Sequence, residues 1–115
     1  MKIAIASDDR NTISPHFGRA LGFVVFDIDR SKVLGEEYRR NVGKNKGACG
    51  TCDHQAMIRT VKDCEQVICQ GMGQSIFDDL LRNSITAVVT DERTVKGALN
   101  KFMRGGLRNR LDKLH

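Results

Sequence analysis

The order of apolar runs along this 115-residue chain predicts an α/β domain built on one mixed five-stranded sheet with helices on its faces. Two observations carry that expectation. The first part of the chain reads as three strands in succession, the second and third joined by a short turn. The second part alternates two short β-rich runs with three stretches of helical periodicity, a β-α-β-α-β half that implies parallel strands and right-handed crossovers. The hairpin then adds an antiparallel edge.

Lys2-Ile3-Ala4-Ile5-Ala6-Ser7 reads as a buried first strand stopped by Asp8-Asp9. Residues 11–20 form a loop holding Pro15, the only proline, and Gly18. Gly22-Phe23-Val24-Val25-Phe26-Asp27-Ile28-Asp29 is rich in β-branched and aromatic residues and makes the second strand. After the turn Arg30-Ser31-Lys32, residues 33–40 pair back as a mostly polar strand, which suits an edge. Residues 41–52, with three glycines and little to bury, read as a long mobile loop, and loops of that length in a small domain are commonly functional. A helix is expected over 53–63, with Met57, Ile58, Val61 and Cys64 on one face. Val67-Ile68-Cys69 follows as a strand, and Gly71-Met72-Gly73 turns into a helix reaching Asn83, with Ile76, Leu80 and Leu81 as its stripe. Thr86-Ala87-Val88-Val89-Thr90 is the last strand. The last helix, 94–104, is ended by Gly105-Gly106. The domain is therefore set at 1–104, with 105–115 a basic tail in which Leu107, Leu111 and Leu114 have the spacing of a short amphipathic helix.

Hydrophobic residues make up 40% and charged residues 29%, which excludes disordered, collagen-like and coiled-coil classes. The apolar run Ile3–Ala6 falls far short of the ~20 residues a membrane helix needs. Asp8-Asp9 follow too soon for a signal peptide, so a cytoplasmic protein without membrane association is expected. The net charge is +5. Most of it lies in the last fifteen residues, where Lys101, Arg104, Arg108, Arg110 and Lys113 face Asp112 alone. Single-strand binders interleave aromatics with cations. Only Phe102 does so here, and the spacing favours a solvated tail over a nucleic-acid partner.

Four cysteines without an export signal point to metal or redox chemistry, or to core packing, before disulfides. Cys49-Gly50-Thr51-Cys52-Asp53-His54 is the strongest local signal. Two sulfurs three residues apart can grip one soft metal, and His54 can add an imidazole. A helix starting here would favour thiolate over thiol, as would Lys44 and Lys46. Cys64 and Cys69 fall on an apolar helix face and inside a strand, where a free cysteine is a core residue. The remaining donor set is open, which suits a carrier of an exchangeable metal species better than a structural zinc. Asp8, Asp9, Asp27, Asp29 and Asp91 lie near strand ends and read as caps and turns rather than as a paired-metal site.

Ser14-Pro15-His16-Phe17-Gly18-Arg19-Ala20 is the second signal. Open α/β sheets bind ligands beyond the carboxyl ends of their strands, and both this loop and the Gly71-Met72-Gly73 turn leave such ends. The turn offers backbone N–H groups to an anion and Met72 a thioether, although core packing is the commoner use of methionine. His16, Gly71, Met72, Gly73, Cys49 and Cys52 are thus expected to converge on one anionic, sulfur-rich guest.

Ile3-Ala4-Ile5-Ala6-Ser7-Asp8-Asp9, the block Ile13-Ser14-Pro15-His16-Phe17-Gly18-Arg19-Ala20, Phe26-Asp27-Ile28 and Gly71-Met72-Gly73 together resemble the nitrogenase iron–molybdenum cofactor-biosynthesis family. That is the domain of NifX, of the C-terminal part of NifB, of NafY-type carriers and of small stand-alone members. The resemblance runs from Met1 to about Met103. It implies a ribonuclease-H-like fold and the binding of an iron–sulfur or iron–molybdenum–sulfur cluster by a carrier rather than a catalyst, with cluster donor or acceptor proteins as partners. Carried over by position, His16 is the prime ligand candidate; the segment holding Cys49 and Cys52 varies among relatives. The tail from Gly105 lies outside the resemblance, and the radical-enzyme part of NifB is missing. The alternative is a thiol–disulfide redox protein using Cys49 and Cys52, against which stand the Lys/Gly-rich stretch before the motif and the lone Pro15. A third reading, a nucleic-acid or protein-binding module, would rest on the tail and show salt-dependent binding.

Overall fold

Alternation along the first strand sets the plan of the molecule. β1 (Lys2–Ser7) is buried on both faces, and its residues divide between two cores: Ala4 and Ala6 enter one, Ile3 and Ile5 the other. In the computed structural model, residues 1–30, 32–41, 54–107 and 109–110 are described, with the backbone alone at His54. β2 (Gly22–Asp29) pairs antiparallel with β1, and β3 (Lys32–Arg40) pairs antiparallel with β2, with a register shift at Asp27/Ile28. β4 (Gln66–Cys69) lies parallel to β1, and β5 (Thr86–Val89) parallel to β4. The strand order is β3-β2-β1-β4-β5, the ribonuclease-H-like mixed sheet expected from the sequence.

α1 (His54–Thr60) and α2 (Gln74–Arg82) contribute Met57, Ile58, Ile76 and Leu80 to the core that holds Ala4, Ala6, Phe23, Val25, Val67 and Val89. α3 (Val95–Met103) places Val95, Ala98 and Leu99 in the core that holds Ile3, Ile5, Val24, Phe26, Ile68 and Val88. β1, β2, β4 and β5 thus feed both layers with alternate side chains, while the exposed edge strand β3 adds only Tyr38, packed against the α3-side core. Thr94 caps α3 by accepting a hydrogen bond from the Gly97 N–H at 3.0 Å. A Cβ at Gly97 would lie 2.7 Å from that hydroxyl oxygen.

Two expectations are corrected. α1 ends at Thr60 rather than Asp63. The Thr60 hydroxyl donates to the Ala56 carbonyl at 2.9 Å, and the chain then tightens through Val61 N–H to Ile58 O (3.1 Å) and Cys64 N–H to Val61 O (2.9 Å). The tail does not open as a helix through 107, 109 and 110, nor is it simply solvated there. Leu107 packs against the α3-side core, and the Arg110 N–H donates to Val89 O. The Asn109 amide accepts from Val89 N–H (3.0 Å) and donates to Ala87 O (3.2 Å). The outer edge of β5 would otherwise present open peptide groups, and pairing them outweighs helix formation at these residues. Residues 108 and 111–115, with Leu111 and Leu114, lie outside the described residues.

Where α1 ends, Arg39 grips Asp63 with both terminal nitrogens (2.6 and 2.8 Å), and Lys2 adds a contact at 3.2 Å. The Arg39 guanidinium, opposed by partial burial and helped by Lys2, holds the Asp63 carboxyl well below the usual carboxylate range. In the loop after β1, Asp9 accepts from the Asn11 N–H (2.9 Å) and the Thr12 N–H (2.7 Å).

Two measurements test these assignments. Asn109→Ala removes both side-chain bonds to β5 and should cost about 1 kcal/mol, seen as a Tm lowered by about 4 °C; an unchanged Tm would detach the tail from the edge. The Thr12 and Asn11 N–H groups lower the Asp9 pKa from 3.8 to about 2. A depressed carboxyl gives stability that is complete above pH about 4 and lost as pH falls towards 2. Asp9→Asn should therefore flatten the acid limb of stability in that window and leave its shape above pH 5 unchanged.

Candidate functional site

The segments leaving β1 and β4 at their carboxyl ends are strapped together by backbone bonds. Ser14 N–H donates to Ala6 O (2.8 Å), Gln70 N–H to Ser14 O (3.3 Å) and Phe17 N–H to Gly71 O (2.9 Å). The buried Ser14 hydroxyl accepts from the His16 N–H (3.3 Å) and donates to the His16 carbonyl (3.0 Å), which tightens the turn around Pro15. Phe17 is fully buried, its ring 5.1 Å from that of Phe23. It anchors a single 3₁₀ turn, Phe17–Arg19, with His16 at its start. Positions three apart eclipse in such a turn, so His16 and Arg19 stand on one side of it.

Across this turn lies a cleft of about 470 Å³. His16, Gly18 and Arg19 line it from the loop, Met57 from α1, and Met72 through Ile76 from the turn and first helical residues after β4. Met57 and Met72 are almost wholly buried and form its floor, whereas His16 and Arg19 are exposed at its rim. Gly73 caps α2 in an extended conformation (φ −73°, ψ 149°) and offers no side-chain acceptor. The first-turn N–H groups of a helix have no intrahelical partner, and no acidic residue sits in the first turn of α2. Among the described lining residues Arg19 is the permanent cation and there is no carboxylate. The cleft is thus electropositive, apolar at its base and suited to an anion with soft atoms.

The structure therefore brings His16, Met72 and Gly73 onto one cleft. Gly71 lies just behind it, buried, with its carbonyl bonded to Phe17. His54 begins α1, one turn before the lining residue Met57. Its side chain, Cys49, Cys52 and the long loop expected at 41–52 beyond Asn41 lie outside the described residues. Among the described residues no three His, Cys, Asp or Glu side chains stand together as a metal site.

A family model described as "Dinitrogenase iron-molybdenum cofactor" matches residues 1–105. The chain belongs to this family. An uncharacterized protein of Methanocaldococcus jannaschii is 25% identical over 107 residues, covering 93% of this chain and 89% of its own. The apo form of the orange protein from Desulfovibrio gigas superposes with a TM-score of 0.72 at 26% identity, covering 96% of this chain and 92% of the other. A second Methanocaldococcus jannaschii protein, whose crystal structure is described as that of a candidate dinitrogenase, has a TM-score of 0.75 at 20% identity, over 96% and 95% of the two chains.

The family block Ser14–Ala20 takes its shape from Ser14 and Phe17, and it carries a lining residue that the sequence reading passed over, Arg19. Its signal was present as a cation three residues after His16. Met57, Gln74 and Ser75 were also passed over as lining residues. Met57 counted as a core residue, and a core methionine at the head of a helix can also floor a cleft.

Cys64 and Cys69 are buried, as their positions in the sequence suggested. Burial, reinforced by the Asp63 carboxylate, pushes the Cys64 thiol up to about 12. Alkylation at pH 8 under reducing conditions should therefore leave Cys64 and Cys69 unmodified in the native protein and label both in urea, read by peptide mass spectrometry. Rapid native labelling of either would contradict the packing described.

Proposed function

We propose that this chain is a carrier for an anionic iron–sulfur or iron–molybdenum–sulfur cluster, acting in assembly or delivery of the iron–molybdenum cofactor rather than as a catalyst. The observation that carries the reading is the cleft itself. An exposed imidazole and a guanidinium stand at its rim, a helix N-terminus without a first-turn carboxylate opens on it, and two methionines lie beneath. Family membership supports the same cargo. The orange protein, 26% identical, is described in its apo form.

In this reading each group has a separate task. Arg19 and the first-turn N–H groups of Gln74, Ser75 and Ile76 attract and orient the negative charge. The imidazole of His16 supplies a nitrogen donor, and Cys49 and Cys52 supply thiolates, with His54 as a further candidate donor. Met57 and Met72 provide a polarizable base that excludes water. His16, Gly71, Met72, Gly73, Cys49 and Cys52 remain the proposed cluster-binding set, to which Arg19 is added. Few strong ligands allow tight but reversible holding, which transfer between donor and acceptor proteins requires.

The test is anaerobic uptake, followed by absorption and metal analysis after desalting, with ferrous iron plus sulfide in one arm and tetrathiomolybdate in the other. Wild type should retain a chromophore in at least one arm. Arg19→Ala should weaken retention about tenfold, the expected loss of one charge-assisted contact. His16→Ala, Cys49→Ala and Cys52→Ala should each lower it further. Unchanged uptake in all four variants would remove these residues from the site, and no uptake by wild type in either arm would sink the reading.

A further inference from the structure

A second cleft, about 510 Å³, opens at the same rim of the sheet but on the other side of β1, beside the end of β3. It is lined by Asp8, Arg10, Leu21, Tyr38, Arg40 and Asn41. We propose that this cleft is a binding site for a tetrahedral oxyanion of the phosphate class, free or as a monoester, held between the guanidiniums of Arg10 and Arg40.

Arg10 is pre-positioned from both ends. Its backbone sits in the left-handed region at φ 70°, a conformation that disfavours side chains other than glycine, asparagine and aspartate. It is held there by the Ser7 hydroxyl, which accepts the Arg10 N–H at 2.9 Å, and by the bonds of Asp9 to the next two residues. Its guanidinium lies 4.6 Å from the centroid of the Tyr38 ring. A stacked guanidinium keeps its in-plane N–H groups directed outward, the fork geometry that matches phosphate and carboxylate oxygens.

Tyr38 is itself fixed. Its hydroxyl donates to Ser7 O at 2.9 Å, and its ring lies across Gly22 so closely that a Cβ there would stand 2.4 Å from the ring carbon Cζ. Tyr38 and Arg40 are two apart on β3 and share a strand face, so the second guanidinium rises beside the first. Burial and the Asp8 charge raise the pKa of the Tyr38 hydroxyl above its ordinary value, so it stays a neutral donor. Neither Arg10 nor Arg40 forms an ion pair with a carboxylate among the described residues. Asp8, the one acidic lining residue, accepts the Leu21 N–H at 2.8 Å. The lining thus carries two permanent cations against one anion. Leu21, 50% exposed, offers an apolar flank to the organic part of an ester.

The full chain, labelled with nitrogen-15 in a chloride buffer, should be titrated with inorganic phosphate and, separately, with phenyl phosphate. Saturable amide shifts are expected at residues 8–12, 21–22 and 38–41. Arg10→Gly, which removes the guanidinium while relieving the left-handed backbone, and Arg40→Gln should each raise the dissociation constant at least tenfold. Asp8→Asn should lower it several-fold. Arg82→Gln, the same loss of charge on a distant exposed helix, should leave it unchanged. Tighter binding of phenyl phosphate would assign the site to an ester, and equal binding to the free oxyanion. The proposal is overturned by shifts confined to residues 16–19 and 73–76, by non-saturating shifts, or by wild-type affinity in both arginine variants. None of these readouts involves metal, so failure here and failure of cluster uptake are separate results.

Discussion

Two backbone hydrogen bonds hold the loop after β1 against the turn after β4, a third ties that loop back to Ala6 of β1, and the chemistry at this rim depends on them. Neither segment has regular structure enough to place a side chain by itself. The strap works because it is made of main-chain groups, which stay where the strands put them, and because Phe17 is sunk in the core one residue from His16. An exposed imidazole on an otherwise short irregular loop thereby takes its position from the sheet. Binding groups held by a packed scaffold lose less freedom when a ligand arrives.

The arginines around the sheet fall into two groups. In one, charge is used up internally: Arg39 is paired with Asp63 and Glu37, and Asp63 also with Lys2. In the other, Arg10, Arg19 and Arg40 line open clefts where carboxylates are few. The formal excess of +5 is therefore less informative than its placement. The arginines that matter to the clefts are single residues on loops and a strand end, while much of the excess lies in the tail.

The first strand was legible in the sequence because a short continuous apolar run reports burial on both faces: Ile3, Ala4, Ile5 and Ala6 are all buried, and they divide between the two layers. The parallel half was legible because amphipathic stretches separate the short β runs, and the helix cap at Thr94 has a sequence signature. Ser14 was harder to assign, since its hydroxyl bonds locally within a turn whose form depends on Pro15 and on Phe17 finding the core. The rule that α/β sheets bind ligands at carboxyl ends was enough to suggest that His16 and the Gly71–Gly73 turn approach one another. It was not enough to single out Arg19, whose direction follows from a 3₁₀ turn that composition does not announce. The opening of the tail, at 107, 109 and 110, misled for a similar reason. Leucine spacing describes a helix in isolation, but an open strand edge competes for the same peptide groups, and Asn109 serves that edge with its side chain.

The contrast between alanine and isoleucine on β1 has a consequence for what the first cleft can hold. Ala4 and Ala6 belong to the layer that also contains Phe17, Met57 and Met72, whereas Ile3 and Ile5 belong to the opposite one. Two methyl groups at the centre of the sheet leave volume in that layer for those larger side chains. The depth of the cleft is in that sense set from behind: bulk added at Ala6 would press on the layer that holds the methionines and make the recess shallower without altering any residue at its mouth.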